Sequence, residues 1–203
     1  MSTPRTRTQR DRSVALLRRQ GLVRPRDLAE LGVARTTLQR LESEGTIERV
    51  GRGLYRLTDA DVTEFHDLAA AALRVPRGIV CLLSALRYHD LGTQNPHEVW
   101  LALGPGHRQP RADAPPLRIV RFSGRALEEG VETQRIEGVG VRITSPAKTV
   151  ADCFKFRNKI GLDIALEALR EYRRGRRKLD ELWRCAEICR VARVIRPYIE
   201  AGV

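Results

Sequence analysis

Residues 21–57, GLVRPRDLAELGVARTTLQRLESEGTIERVGRGLYRL, leave a chain few choices of local fold. Arg24, Pro25 and Arg26 open a short helix, because proline at a first-turn position gives up an N–H that has no helical partner anyway. Leu28, Ala29 and Leu31 supply its inner face. Gly32 can take positive φ and turn the chain sharply, after which Val33, Leu38 and Leu41 return at helical spacing and point inward. Gly45 ends this second helix. Residues 47–50 then alternate apolar and polar into Gly51-Arg52-Gly53, and residues 54–57 follow, which predicts a hairpin around a glycine-rich turn. Residues 12–20, with Val14, Leu16 and Leu17 inward and Gly21 as C-cap, add a first helix. Three helices followed by a basic hairpin, in this order, make a winged helix-turn-helix.

Arg35, Thr36, Gln39, Arg40 and Ser43 are left on the outer face of the second helix of the motif. Arginine and glutamine can pair bidentately with guanine and adenine edges in a major groove, and threonine can meet a thymine methyl. This helix is therefore the candidate recognition helix. The hairpin tip carries Arg52, with Arg49 and Arg56 nearby, so a wing can touch phosphate or reach a minor groove. Arg24 is counted with these candidate DNA contacts.

The charge balance agrees with a double-stranded DNA partner. The 203 residues hold 37 Lys and Arg against 25 Asp and Glu, a formal net charge of +12, which favours a polyanion. Residues 1–57 hold 13 basic and 6 acidic side chains, so the charge is densest where the motif lies. Residues 1–9 alternate arginine with small polar residues and are expected to be disordered off DNA, either as a solvated tail or with Arg5, Arg7 and Arg10 following the phosphate backbone. No run long and apolar enough for a membrane span or a secretory signal is present, and a cytoplasmic location without membrane contact is expected.

Residues 58–75 are expected to form a connecting helix, capped by Thr58-Asp59 and presenting Phe65, Leu68, Ala69 and Ala72 on one side. A second unit follows over residues 76–203. Residues 79–91 have helical spacing, 98–103 and 117–122 read as strands, and 133–137 with 139–143 read as a hairpin meeting at Gly138. The loop 104–116 is rich in glycine and proline, and Arg108, Arg111, Arg118 and Arg121 make the region basic. From Ser145 onward the period is helical: Ser145 as N-cap, Pro146 at the first position, then helices marked by Ile164 to Tyr172, by 179–189 and by 191–199. Residues 173–178 are either a solvated run or a second anion-binding patch. The fold class is thus α+β: an N-terminal winged helix-turn-helix (1–57), a connecting helix (58–75), and a mixed α/β C-terminal domain with a small sheet and several helices (76–203).

The sequence offers little for catalysis. Ser145-Pro146-Ala147-Lys148 matches the S-x-x-K pattern of acyl enzymes, but no S-D-N or K-T-G follows, and helix capping accounts for the serine. P-loop, G-x-G-x-x-G and H-E-x-x-H patterns are missing, and Asp152 and Asp163 sit singly in amphipathic helices. His89, near a helix end, reads as structural. Cys81, Cys153, Cys185 and Cys189 have no histidine partner that would complete a zinc set and read as buried reduced thiols. No enzyme activity, cofactor or metal is expected.

Three stretches together resemble the AbiEi family of antitoxin repressors: IERVGRGLYRL (47–57), CLLSALRYHDLGTQNPHEVWLAL (81–103) and ITSPAKTVADCFKFRNKIGLDIALEALREY (143–172). The likeness runs from about Asp11 to Tyr172. The resemblance implies a winged domain that represses its own operon at inverted repeats and a C-terminal domain that neutralises a co-encoded nucleotidyltransferase-type toxin, in systems associated with abortive infection by phage. Operator reading then falls to Arg35, Thr36, Gln39, Arg40, Arg49 and Arg52. Antitoxicity falls to residues grouped around the third stretch, Lys148, Lys155, Arg157, Asn158 and Lys159, whose alternative role is plain exposed helix surface. The competing reading is a stand-alone winged-helix repressor whose C-terminal domain binds an effector or dimerises. A nuclease or nucleotide-modifying enzyme targeted by the winged domain would need a carboxylate cluster for metal, which the sequence lacks.

Overall fold

Thr8 opens the first helix, α1 (Gln9–Gln20). Its Oγ1 accepts from the Asp11 N–H at 3.2 Å while Asp11 Oδ2 accepts from the Thr8 N–H at 3.0 Å, a reciprocal capping box. The helix therefore begins ahead of the expected Arg12, and Gln9 and Arg10 belong to it rather than to a tail. The computed structural model describes residues 8–51, 53–60, 62–108 and 115–202. Arg5, Arg7, Arg52 and Arg111, singled out in the sequence, lie outside the described residues.

The winged unit forms as its spacing predicts. Pro25 occupies the first turn of α2 (Pro25–Ala29), Gly32 turns the chain at φ +69°, and α3 (Arg35–Ser43) follows. Strands β1 (Ile47–Gly51) and β2 (Leu54–Leu57) pair antiparallel with Ile47 opposite Leu57, and the register shifts between Arg49 and Gly51. Leu16, Leu17, Val23, Leu28, Val33, Leu38, Leu41, Ile47 and Leu57 close a small core of their own.

The second unit is a five-stranded sheet in the order β5-β4-β3-β7-β6. It is built from β3 (Ile79–Val80), β4 (Val99–Leu103), β5 (Leu117–Arg121), β6 (Val131–Ile136) and β7 (Val139–Thr144). β4 runs antiparallel to β3 and parallel to β5, β3 runs parallel to β7, and β6 and β7 form a hairpin. All five residues of β4 are buried, which is why VWLAL is apolar throughout instead of alternating. At the hairpin turn Glu137 and Gly138 both take positive φ, 46° and 78°, as a two-residue turn that matches strand twist requires.

The sheet is covered on both faces. On one side pack α5 (Leu82–His89), α7 (Pro146–Lys155), α9 (Leu162–Arg174), α10 (Leu179–Ile188) and α11 (Ala192–Glu200), burying Ile79, Trp100, Ala102 and Val120 beneath Phe154, Leu169 and Leu182. Short helices α6 (Arg125–Glu128) and α8 (Arg157–Ile160) fill connections. On the other side lies α4 (His66–Arg74), whose Leu68, Ala69, Ala70 and Ala71 meet Val80, Val99, Leu101, Val141 and Ile143. Leu22 and Leu54 of the winged unit belong to this same cluster, so one continuous core joins the winged unit to the sheet. The architecture is α+β, a winged helix-turn-helix followed by a mixed α/β unit.

Three boundaries differ from the sequence reading for identifiable reasons. Thr58-Asp59 lies in a turn rather than at a helix start, and α4 starts only at His66. Residues 79–91 are not one helix: Ile79 and Val80 form the central strand, too short to show a period, and α5 starts after Cys81. The helical run after Ser145 is interrupted at Phe156, the residue shared by the end of α7 and the start of α8.

Candidate nucleic-acid interface

Helix α3 divides cleanly into two faces. Leu38 and Leu41 are buried with Val33 beside them, while Arg35, Thr36, Gln39, Arg40 and Ser43 are exposed. Four side chains suited to base edges thus share one solvent-facing surface on a helix whose other face is anchored in the core. Arg40 is not entirely free, since its Nε lies 3.6 Å from Glu44 Oε1, and Glu44 also meets Arg10 Nη1 at 3.3 Å. Both pairs are solvent-exposed and are worth little energetically, so a phosphate or base can compete for either arginine.

The helix gets no cap from its own sequence. Its N-cap, Ala34, has extended backbone (φ −70°, ψ 148°) but no side-chain oxygen. Gln9 of α1 supplies one: its Oε1 accepts from the Ala34 N–H at 2.9 Å and from Thr37 Oγ1 at 2.7 Å. Arg12 Nη1 donates to the Leu31 carbonyl at 2.6 Å, holding the turn just ahead of α3. The sequence reading missed Gln9 by assigning it to the tail, although the capping box at Thr8 and Asp11 was the signal that would have brought it into α1.

On the wing, Arg49 is exposed, with its Nε bonded to the Gly51 carbonyl at 3.1 Å. Arg56, named beside it in the sequence, is withdrawn into a cross-strand pair with Glu48, Nε to Oε1 at 2.6 Å. Arg24 does not stand on the recognition face either. Its guanidinium donates to the Leu73 carbonyl at the end of α4, and burial together with the neighbouring Arg26 charge holds its pKa below the ordinary value. It ties the winged unit to the helix lying on the sheet.

In the second unit the candidate antitoxicity residues separate. Lys155, Asn158 and Lys159 are exposed, and Arg157 is half-buried with Nη1 on the Phe154 carbonyl at 2.8 Å. Lys148 is fully buried, against the expectation of a surface residue. Its Nζ lies 2.6 Å from both carboxylate oxygens of Asp152, itself fully buried, and 4.8 Å from the Phe122 ring centroid. Burial pushes the Asp152 carboxyl up, against the pull of the Lys148 ammonium. Asp152 is therefore one half of a core ion pair rather than a solitary surface carboxylate. Ser145 Oγ accepts from the Lys148 N–H at 3.3 Å and caps α7, while the lysine's ammonium is turned to Asp152.

The other titratable groups are structural. Burial holds His89 below its ordinary pKa, and its Nε2 donates to the Thr144 carbonyl at 2.7 Å. The four cysteines are free and buried; burial pushes each thiol up, Cys189 to about 12, and Cys189 Sγ donates to Asp152 Oδ1 at 3.2 Å. Such thiols are poor nucleophiles and poor metal ligands. Among the described residues no group of histidine, cysteine and carboxylate is placed to hold a metal, and no helix is long and apolar enough to cross a membrane.

The fold is similar to that of the RV2827C protein from Mycobacterium tuberculosis in its crystal structure. The TM-score is 0.59 at 17% identity, over 90% of this chain and 72% of that one. None of the curated proteins compared with the chain matches it. Residues 11–58, which hold the winged unit, match the family described as "Transcriptional regulator, AbiEi antitoxin".

Proposed function

We propose that this chain reads operator DNA through α3 and its wing, represses its own operon at inverted repeats, and uses its C-terminal unit to neutralise a co-encoded nucleotidyltransferase-type toxin. The observation that carries the DNA half is the exposed set Arg35, Thr36, Gln39 and Arg40 on a helix whose opposite face is buried. Arg49, and Arg52 at the hairpin tip in the sequence, serve phosphate or minor-groove contact. An inverted repeat calls for two winged units about 34–36 Å, or a multiple of one helical turn, apart.

The toxin half rests on the resemblance of residues 143–172, with Lys155, Asn158 and Lys159 as the exposed groups of that stretch and Arg157 partly accessible. Lys148 has no place in it, because its charge is spent inside the core.

Two experiments test the two halves. Selection from a randomised duplex pool with the full chain should enrich an inverted repeat, and a pool that stays random overturns operator reading. Co-expression with a neighbouring nucleotidyltransferase gene should restore growth with the full chain but not with Lys155→Glu/Lys159→Glu. Absence of rescue by the full chain leaves a stand-alone repressor.

A further inference from the structure

We infer that Gln9, on α1, is the positioning residue that sets the first turn of the recognition helix and with it the sequence preference of the protein. The inference rests on the operator-reading role proposed above. The first turn of α3 carries Arg35 and Thr36, and Gln39 follows one turn later, so any fraying at Ala34 displaces the side chains nearest the bases. A helix N-terminus leaves its first N–H groups without partners, and Ser, Thr, Asp or Asn at the N-cap ordinarily satisfies one of them. Ala34 cannot. Gln9 Oε1, from another helix, instead satisfies the N-cap residue's own N–H, accepting from Ala34 N–H at 2.9 Å, and ties down the first turn through the Thr37 hydroxyl at 2.7 Å.

The cap is therefore also a strut. It fixes the first turn of α3 relative to α1, and Arg12 on the next turn of α1 fixes the preceding turn through the Leu31 carbonyl at 2.6 Å. Base readout needs side chains held in one geometry before the duplex arrives, whereas phosphate contact tolerates a looser one. Loss of the strut is thus expected to cost preference for the right sequence more than affinity for DNA in general.

The test uses the full chain, a duplex carrying the inverted repeat selected by the parent protein, and a scrambled duplex of equal length. Gln9→Met keeps the shape and removes the acceptor. It should lower the ratio of selected to scrambled affinity by about fivefold, the equivalent of one lost N-cap, and speed hydrogen exchange at the Ala34 amide. Gln9→Glu keeps the acceptor and adds a negative charge, so both affinities should fall together with the ratio preserved. Adding Ala34→Ser to Gln9→Met gives the first turn of α3 a cap of its own but no tie to α1, so it should restore part of the ratio, a rescue that also serves if Gln9→Met alone is poorly folded. A ratio unchanged in Gln9→Met, or lowered and not raised at all by Ala34→Ser, overturns the positioning role. A parent chain that distinguishes no duplex from another overturns operator reading instead.

Discussion

Single residues divide into those whose sequence context announces their role and those whose partner lies far along the chain. Arg40 is of the first kind: helical spacing from Leu38 and Leu41 places it outward, and it is exposed. Replacing it with alanine should cost about 1–3 kcal/mol on the selected duplex and much less on a scrambled one, measured by anisotropy titration. Glu44 faces both Arg40 and Arg10, so Glu44→Gln removes a repulsive carboxylate and should tighten binding to every duplex. Weaker binding would show that the carboxylate aims the arginine. Lys148 is of the second kind. A lysine near a helix start reads as surface, yet Asp152 stands one turn on, and Phe122, Cys81 and Cys189 wall the pair off from water. Lys148→Met should cost about 3–5 kcal/mol by leaving a buried carboxylate unpaired, whereas Lys148→Met with Asp152→Leu should recover most of it in urea unfolding. Equal losses in both variants would place the cost in packing rather than in charge.

At the scale of elements, long periodic segments were legible and short or tertiary-defined ones were not. α3 and α7 could be read because an N-terminal signal and an apolar stripe agree: Gly32 before the one, Ser145-Pro146 before the other. β3 could not, since two residues carry no period and only pairing with β4 and β7 makes them a strand. α4 begins where packing on the sheet begins, not at the polar pair that looked like a cap. The wing is short: Arg56 stands directly opposite Glu48 in the regular part of the ladder and pairs with it, while Arg49, next to the register shift, stays exposed. Arg49→Ala is accordingly expected to weaken binding on all sequences alike and to lower the salt slope by about one unit. An unchanged slope would remove Arg49 from the phosphate contacts.

Across the whole molecule, the winged unit and the sheet are joined by contact as well as by chain. Leu22 and Leu54 share a core with α4 and β7, and Gly21 packs so tightly on the hairpin turn that an added Cβ would sit 2.1 Å from the Glu137 carbonyl oxygen. Gly21, at φ +69°, is also in the left-handed region. Gly21→Ala should thus lower stability by at least about 1–3 kcal/mol from backbone strain alone, with the close contact added. The same turn is held by its carboxylate: Glu137 accepts from the Thr63 N–H and hydroxyl, each at 2.9 Å, and lies 2.7 Å from His66 Nδ1. Burial pushes this carboxyl up, but the hydrogen bonds from His66 and Thr63 outweigh it and hold the pKa below its ordinary 4.5. Because the folded-state value is the lower one, the stability this group contributes is present above the unfolded value and lost as pH falls through the folded one. The melting temperature of the parent should therefore fall more steeply below about pH 4.5 than that of Glu137→Gln. Parallel curves would deny the seam any electrostatic part.

This continuity was invisible in the sequence, where residues 58–75 read as a connector. Removing them exposes Val99, Leu101, Val141 and Ile143, so a fragment of residues 76–203 should aggregate while residues 62–203 elute as a folded species in size-exclusion chromatography. The reading of the whole molecule stands or falls on whether the exposed face of α3 distinguishes sequences. The decisive measurement is the salt-matched affinity of the full chain and of Arg35→Ala/Arg40→Ala for the selected and the scrambled duplex. A preference that collapses in the double variant, with scrambled-duplex affinity reduced far less, is the predicted result. Equal loss on both duplexes would make α3 a phosphate clamp and contradict it.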